Sequence, residues 1–176
     1  NCVMGSICDI KGRVVSSFLV VKNDKENNSF ILIGETKALE ATLTILKKYK
    51  PFYECSLRKR EDIKFYAIEE SYLISDFPET KLDVSLQSYA SFIRLHYLEK
   101  KYHLIAFKKP EEFKGYNISN DKSPWELDEI INQNFEITSD VINRFTPHEL
   151  GYHLNTRIDF EKGCYTGQEI VARMHY

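Results

Sequence analysis

The chain has 176 residues, 43% of them hydrophobic and 28% charged, which is typical of a globular protein with one good core or two small domains. Its net charge of −2 excludes a global field that would attract nucleic acid or an anionic membrane. No apolar run approaches the roughly 20 residues of a membrane span. We therefore expect no membrane partner and no direct nucleic-acid partner, and we interpret lysine and arginine clusters such as Lys47-Lys48 and Arg58-Lys59-Arg60 as solvated faces.

The four cysteines, Cys2, Cys8, Cys55 and Cys164, form neither a CxxC pair nor a recognisable zinc spacing. Small secreted scaffolds are denser in cysteine than this chain. We therefore predict a reducing compartment. The chain also opens without methionine and stops inside or just after a predicted helix, so we expect a fragment of a longer protein.

The first third of the chain predicts an α+β unit. Residues 6–21 predict two strands around a turn at 9–12, and residues 30–33 predict a third strand. Thr36 is a candidate cap for a helix that ends at Pro51, with Leu39, Leu43 and Leu46 on one face. Residues 52–57 predict one more short strand.

The middle and the last third predict more strands and two helix starts. Strands are expected at 64–73, 91–97 and 102–107, the last two joined by a turn at 98–101. Ser123 is expected to cap a helix that closes its box with Glu126 and buries Trp125, Ile130 and Ile131. Thr146 and Glu149 predict a short helical turn of the same kind.

The segment from Lys162 to Glu169, KGCYTGQE, is the most informative one. Thr166 and Glu169 have capping-box spacing, so a helix is predicted to start near Thr166. Cys164 would then precede a helix N-terminus, where N–H donors stabilise a thiolate. The alternative is a buried structural thiol, and an accessible thiol would act as nucleophile, sulfur carrier, redox-sensitive group or metal ligand.

Several residues are candidates to support the Cys164 site or to contact its ligand, with structural support as the main expectation. Asp9 is first of all a turn residue, and Arg173 is a candidate partner for a ligand carboxylate. No metal site is expected, since His148 and His153 are five residues apart rather than four. The supporting set consists of Lys162, Gly163, Tyr165, Gly167, Gln168, Glu169, Arg173 and Asp9.

KGCYTGQE with the following Ile170-Val171-Ala172-Arg173 resembles the signature of the YgfZ family, folate-binding proteins that support iron–sulfur enzymes. Asp9-Ile10-Lys11-Gly12 resembles the family's turn near the N-terminus, and residues 145–151 resemble the stretch before the signature. The family's Gly and Pro after the Trp125 helix are missing here, and we expect Asn134 to preserve that turn.

The resemblance implies an α+β fold. Residues 1–75 would form a ferredoxin-like domain, and residues 76–176 would form part of a split α/β domain of the glycine-cleavage T-protein type. The family's C-terminal β-barrel would be absent.

The resemblance also implies a function. The chain would bind tetrahydrofolate or a derivative and assist iron–sulfur client or assembly proteins, including tRNA-modifying ones, with Cys164 as the essential thiol. It would be cytoplasmic in a bacterium, or in the mitochondrial matrix of a eukaryote.

Two alternatives remain open. We expect that the chain is not a classical enzyme. If it is an enzyme, the first alternative applies, a tetrahydrofolate-dependent aminomethyl transferase. Against it, Ser16 and Ser17 occupy the positions that the resemblance assigns to the T-protein's folate-positioning aspartates, and a serine cannot act as a carboxylate base. The second is a protein-interaction module with a buried Cys164.

Overall fold

The computed structural model describes residues 2–22, 28–61, 63–69, 90–96, 101–107, 119–155 and 157–175. Within these ranges the chain divides into two compact units, which are described separately. Of the helices described, none has the length and apolar content that a bilayer span requires. The predicted boundary near residue 75 lies outside the described residues, and the ferredoxin-like and T-protein-type fold stays a prediction.

One unit contains a three-stranded sheet in the order β1-β2-β3, formed by Cys2–Cys8, Val14–Lys22 and Phe30–Ile33. Helix α1, Thr36–Tyr49, follows β3. The three predicted strands are confirmed, because β-branched and aromatic residues recur on both sides of short polar turns.

The capping residue of α1 is Glu35, whose carboxylate accepts a hydrogen bond from the Ala38 N–H at 2.7 Å. The prediction that Thr36 caps this helix is therefore wrong. The buried positions of α1 are Ala38 and Thr42, one residue before the half-buried Leu39 and Leu43.

Helix α1 runs into a 3₁₀ turn at Lys50–Phe52, and an irregular segment follows it. The predicted strand at 52–57 is therefore wrong. Pro51 stops the α-helix as expected. Residues 53–57 after it are irregular and pair with none of the strands that the structure describes. They also contain no β-branched residue, the type that favours a strand.

The other unit contains an antiparallel sheet in the order β4-β6-β5, formed by Lys64–Glu69, Lys101–Phe107 and Ala90–His96. β4 begins at the predicted residue, and residues 70–73 of its predicted range lie outside the described residues. β5 and β6 each begin one residue before their predicted ranges, so these strands are confirmed. Of the predicted turn at 98–101, residues 98–100 lie outside the described residues and Lys101 is the first residue of β6. The antiparallel pairing of β5 with β6 is what a hairpin there requires.

Helix α2, Ser123–Ile131, begins at the predicted place. Ser123 is its first residue rather than its cap, and the Ser123 N–H donates to the carboxylate of Asp121 at 2.9 Å. Trp125 is half-buried, whereas Ile130 and Ile131 are exposed, so their predicted burial is wrong. Periodicity alone does not tell which apolar face of a short helix has a partner.

A Schellman motif ends α2, with the Asn134 N–H on the Glu129 carbonyl at 2.8 Å and the Gln133 N–H on the Ile130 carbonyl at 3.0 Å. Gln133, with φ of 53°, takes the left-handed position that we had assigned to Asn134. The turn survives without a glycine. The amide oxygen of Asn134 is buried and accepts from the Arg157 guanidinium.

The core of the first unit joins both ends of the chain. Its buried members come from β1, β2, α1 and the segment after α2, namely Cys8, Val14, Ala38, Ile137 and Tyr152. The start of β2 also fixes residues 143–145, since the Val14 N–H donates to the Phe145 carbonyl at 2.8 Å and the Val14 carbonyl accepts from the Asn143 N–H at 2.9 Å. The last short helix, α3, covers Gln168–Arg173.

Candidate functional site

The turn between β1 and β2 is closed by the side chain of Asp9. Its carboxylate accepts hydrogen bonds from the backbone N–H groups of Lys11 and Arg13, each at 2.9 Å. The Gly12 N–H donates to the Asp9 carbonyl at 3.0 Å, and Gly12 has φ of 71°. Asp9 therefore has the structural turn role that its residue type favours.

The Asp9–Gly12 turn lies directly against Gly167 of the signature segment. A Cβ added at Gly167 would lie 2.5 Å from the Asp9 carbonyl oxygen and 2.8 Å from the Gly12 Cα. A Cβ added at Gly12 would lie 2.9 Å from the Ile170 Cβ. The two motifs that the sequence places at opposite ends of the chain are thus in backbone contact. This contact needs a glycine on each side.

Gly167 is also the N-cap residue of helix α3. Its φ of 80° is left-handed, and no side chain caps the helix. The predicted Thr166–Glu169 capping box is therefore wrong, and the helix begins at Gln168, two residues after Thr166. The side chain of Gln168 instead accepts a hydrogen bond from the Tyr165 N–H at 3.3 Å. Gln168 thus holds the loop that carries Cys164.

Glu169 and Arg173 bind each other across one turn of α3, with an N–O distance of 2.5 Å. Both side chains are more than 70% exposed. Arg173, a candidate partner for a ligand carboxylate, therefore has a carboxylate partner within its own helix. An exposed pair of this kind contributes little stability.

Cys164 is exposed, which favours the accessible thiol over the buried structural one. Cys55 is exposed as well, whereas Cys8 is buried. Burial, with the negative charge of Asp9, raises the pKa of the Cys8 thiol to about 11. Among these three thiols, exposure therefore singles out Cys164 and Cys55 for reaction with a partner.

The neighbours of Cys164 in the loop have separate roles. The Lys162 ammonium lies over the ring of Tyr165, 4.7 Å from its centroid, in a cation–π contact. Burial raises the pKa of the Tyr165 hydroxyl above its ordinary value. A Cβ added at Gly163 would meet no atom within 4 Å, so this glycine is not required by packing.

A small cavity lies behind the loop, with walls that include Ser6, Cys8, Arg157, Asp159, Lys162 and Tyr165. Its volume is about 20 Å³, which is room for roughly one water molecule. A drug-sized ligand needs a pocket of some 300 Å³ or more. This cavity by itself therefore does not fit a folate.

Ser16 and Ser17 are fully buried and have structural partners. The Ser16 hydroxyl contacts the Thr42 hydroxyl, and the Ser17 hydroxyl accepts from the Ile137 N–H at 2.8 Å. Burial raises the pKa of Tyr152, whose hydroxyl donates to the Phe135 carbonyl at 2.5 Å. The positions that a folate-dependent transferase would use for carboxylates therefore belong to the core here.

The sequence did not identify Arg157, which is buried beside this core. Its guanidinium donates to the Asn134 side-chain oxygen at 2.7 and 3.0 Å and to the Gly5 carbonyl at 3.2 Å. It also lies over the Tyr152 ring, 5.2 Å from the centroid. The sequence could have pointed to Arg157 only indirectly. The family's Gly and Pro are missing after the Trp125 helix, and Asn134 in that stretch is the residue whose side chain Arg157 binds.

Three histidines cluster at the end of α3 and the turn before the signature. The ring of His148 stacks on His153 at 5.0 Å and lies 6.0 Å from His175, and His175 stacks on Phe160 at 3.9 Å. Both ring nitrogens of His148 are buried without a hydrogen-bond partner, and burial lowers its pKa. The described residues contain no group of three His, Cys, Asp or Glu side chains placed to hold a metal ion.

Comparison with known proteins gives several relatives over nearly the whole chain. The protein of Colwellia psychrerythraea named tRNA-modifying protein YgfZ is 30% identical over 191 aligned residues, covering 100% of this chain and 56% of that protein. Proteins of the same name from Aliivibrio fischeri and Vibrio atlanticus are 27% and 26% identical, each covering 98% of this chain and 54% of the relative. The chain thus spans about half the length of these relatives. No protein-family profile matches it.

Proposed function

The chain belongs to the YgfZ family, and from this premise we propose that it supports tRNA modification through an essential thiol, Cys164. The observation that carries the proposal is the exposed Cys164 on a loop held by backbone contact between Gly167 and the Asp9–Gly12 turn. The relatives' name, tRNA-modifying protein, supplies the process.

The chemistry that this arrangement allows is that of one accessible thiol on a fixed loop. Gly167 and Gln168 hold the loop at its far end, so Cys164 is presented without a rearrangement of the chain. A thiolate can bind iron or exchange sulfur, and a serine hydroxyl in its place does neither well. Iron–sulfur clusters usually take four cysteine ligands. We therefore propose that Cys164 acts together with a client or assembly protein that supplies the others.

We further propose that the full-length protein binds tetrahydrofolate or a derivative without consuming it. The cavity beside Cys8 is too small for a folate, so no step is assigned to the folate in this chain. The alternative, aminomethyl transfer to tetrahydrofolate, is disfavoured because Ser16 and Ser17 are buried among core partners and supply no carboxylate.

The decisive experiment compares two exposed cysteines by complementation of a deletion strain, read as the activity of an iron–sulfur tRNA-modifying enzyme. We expect Cys164→Ser to abolish complementation and to melt like the wild type, because the exchange is nearly isosteric and the side chain is exposed. Cys55→Ser is the matched control and should complement fully. Full complementation by Cys164→Ser would overturn the proposal, and early melting of that variant would assign Cys164 a structural role.

The folate proposal has a separate test. Calorimetry of the full-length protein with tetrahydrofolate should show binding, and product analysis with an aminomethyl donor should show no methylene-tetrahydrofolate. Formation of that product would favour the transferase instead. Absence of binding would remove folate from the proposal without touching the role of Cys164.

A further inference from the structure

A cluster of exposed aromatic side chains lies at the C-terminal end of α1. Tyr49, Phe52 and Tyr53 are 52%, 79% and 69% exposed. Large aromatic side chains at this degree of exposure bury little of their area in the fold, so packing does not explain three of them within five residues. Three lysines, at positions 47, 48 and 50, lie next to Tyr49 in the sequence. We define the basic–aromatic surface as Lys47, Lys48, Tyr49, Lys50, Phe52 and Tyr53.

The backbone that carries this surface is held in regular structure by hydrogen bonds. Helix α1 carries the first residues, and Pro51 lies in the 3₁₀ turn Lys50–Phe52. The Tyr53 N–H donates to the Lys50 carbonyl at 3.1 Å, and the Cys55 N–H donates to the Tyr53 carbonyl at 2.9 Å. A ligand that stacks on these rings therefore does not have to order the chain first, which lowers the entropic cost of binding.

The charged residues in the run 41–53 are all lysines. No acidic residue occurs between Glu40 and Glu54, although the chain as a whole has a net charge of −2. Lysines in the last turn of a helix also offset the helix dipole, which accounts for Lys47 and Lys48 on structural grounds. Lys50 is the C-cap residue of the same helix and shares that explanation, which does not extend to the three aromatic rings.

We propose that the basic–aromatic surface binds single-stranded RNA. Lysine ammonium groups attract the phosphate backbone, and exposed rings give unpaired bases a face on which to stack. Aromatic residues are also enriched at protein–protein interfaces, but lysine is depleted there, so the three lysines favour RNA over a protein partner. This reverses the expectation from net charge, since a local cluster acts at short range where the global field is weak.

The proposal goes beyond the proposed function and does not depend on it, because the surface shares no residue with the Cys164 loop.

The test is fluorescence anisotropy of the 176-residue chain with a labelled single-stranded RNA of about twelve nucleotides, within the range of known site sizes. We expect the single strand to bind more tightly than a duplex of the same sequence, because paired bases are not free to stack. With three lysines on the phosphates, the logarithm of the affinity should fall with the logarithm of salt concentration with a slope of about −2.

Variants separate stacking from charge. Replacing Tyr49, Phe52 and Tyr53 by alanine should weaken binding on the order of fivefold or more for each ring that stacks. Replacing the three lysines by glutamine should flatten the salt dependence. The matched controls are Phe30→Ala, an exposed aromatic elsewhere, and Lys37→Gln, at the other end of the same helix. All replaced side chains are exposed, so melting should stay unchanged.

Three outcomes would overturn the proposal. They are equal affinity for single strand and duplex, equal loss in the Phe30 and Lys37 controls, and no RNA binding at low salt. If the aromatic triple variant failed in cells while the purified chain bound no RNA, the surface would dock a protein instead. Each of these results would leave the Cys164 proposal standing, since its variants do not touch this surface.

Discussion

The chain contains two Thr-x-x-Glu segments with the same spacing and different structures. At Thr146 and Glu149 the capping box forms, with the Glu149 carboxylate accepting from the Thr146 N–H at 2.7 Å and the Glu149 N–H reaching the Thr146 hydroxyl at 3.4 Å. At Thr166 and Glu169 it does not form, and Glu169 binds Arg173 instead. The same Thr-x-x-Glu spacing therefore produces a capping box at Thr146 and none at Thr166.

The difference lies in the residue that directly follows the threonine. Thr146 is followed by Pro147, whose fixed φ suits the first position of a helical turn. Thr166 is followed by Gly167, whose left-handed backbone is fixed by contact with the Asp9–Gly12 turn. A long-range contact thus moves the helix start, and the loop before it keeps Cys164 exposed.

The largest effect is expected at Gly167. Alanine there would combine left-handed strain of about 1–2 kcal/mol with overlap on the Asp9 carbonyl of about 1–3 kcal/mol, a loss of roughly 2–5 kcal/mol in unfolding free energy. Chemical denaturation measures it. Gly163→Ala is the control and should stay within about 0.5 kcal/mol, because its Cβ meets no atom within 4 Å. Equal losses at the two glycines would contradict the role given to the contact.

The capping boxes should differ by a smaller amount. Thr146→Ala and Glu149→Ala should each lower the unfolding free energy by about 1 kcal/mol, the usual cost of a lost cap. Thr166→Ala should stay within about 0.5 kcal/mol, since its side chain is exposed and caps nothing. Thermal melts of the three variants side by side decide the matter, and a loss at Thr166 equal to that at Thr146 would restore the second box.

The first box should also show in the acid limb of the stability curve. Hydrogen bonds from the Thr146 N–H and hydroxyl hold the pKa of Glu149 below its ordinary value of 4.5. A lowered carboxyl pKa gives stability that is present above pH 4.5 and is lost as the pH falls through the folded-state pKa. Glu149→Gln should therefore flatten this limb in denaturation curves at several pH values. An unchanged limb would mean that the carboxylate is not bound in solution.

The smallest effect is expected for the pair on α3. Both side chains are more than 70% exposed, so Glu169→Ala should cost only about 0.3–0.5 kcal/mol, less at high salt. Arg173→Ala should cost the same, and the double variant should cost little more than either. A loss near 1 kcal/mol that persists in salt would instead indicate capping by Glu169.

Much of the secondary structure follows from the sequence. Strands β1 and β2 flank the predicted turn, and β4, β5 and β6 and the start of α2 fall at their predicted places. The wrong predictions concern a helix cap and the burial of side chains, which depend on contacts with neighbouring residues. Glu35 rather than Thr36 caps α1, and Ile130 and Ile131 are exposed although apolar periodicity predicts burial.

What the sequence determined by itself is local. Turn chemistry at Asp9, the box at Thr146 and the family resemblance through the signature all depend on residues a few positions apart, whose hydrogen bonds follow from residue type and spacing. Only the tertiary structure decided that Gly12 and Gly167 touch, that α3 begins at Gln168 and that Arg157 is buried against Asn134. These contacts join distant segments, and their geometry depends on how the whole core packs rather than on any one stretch of the chain.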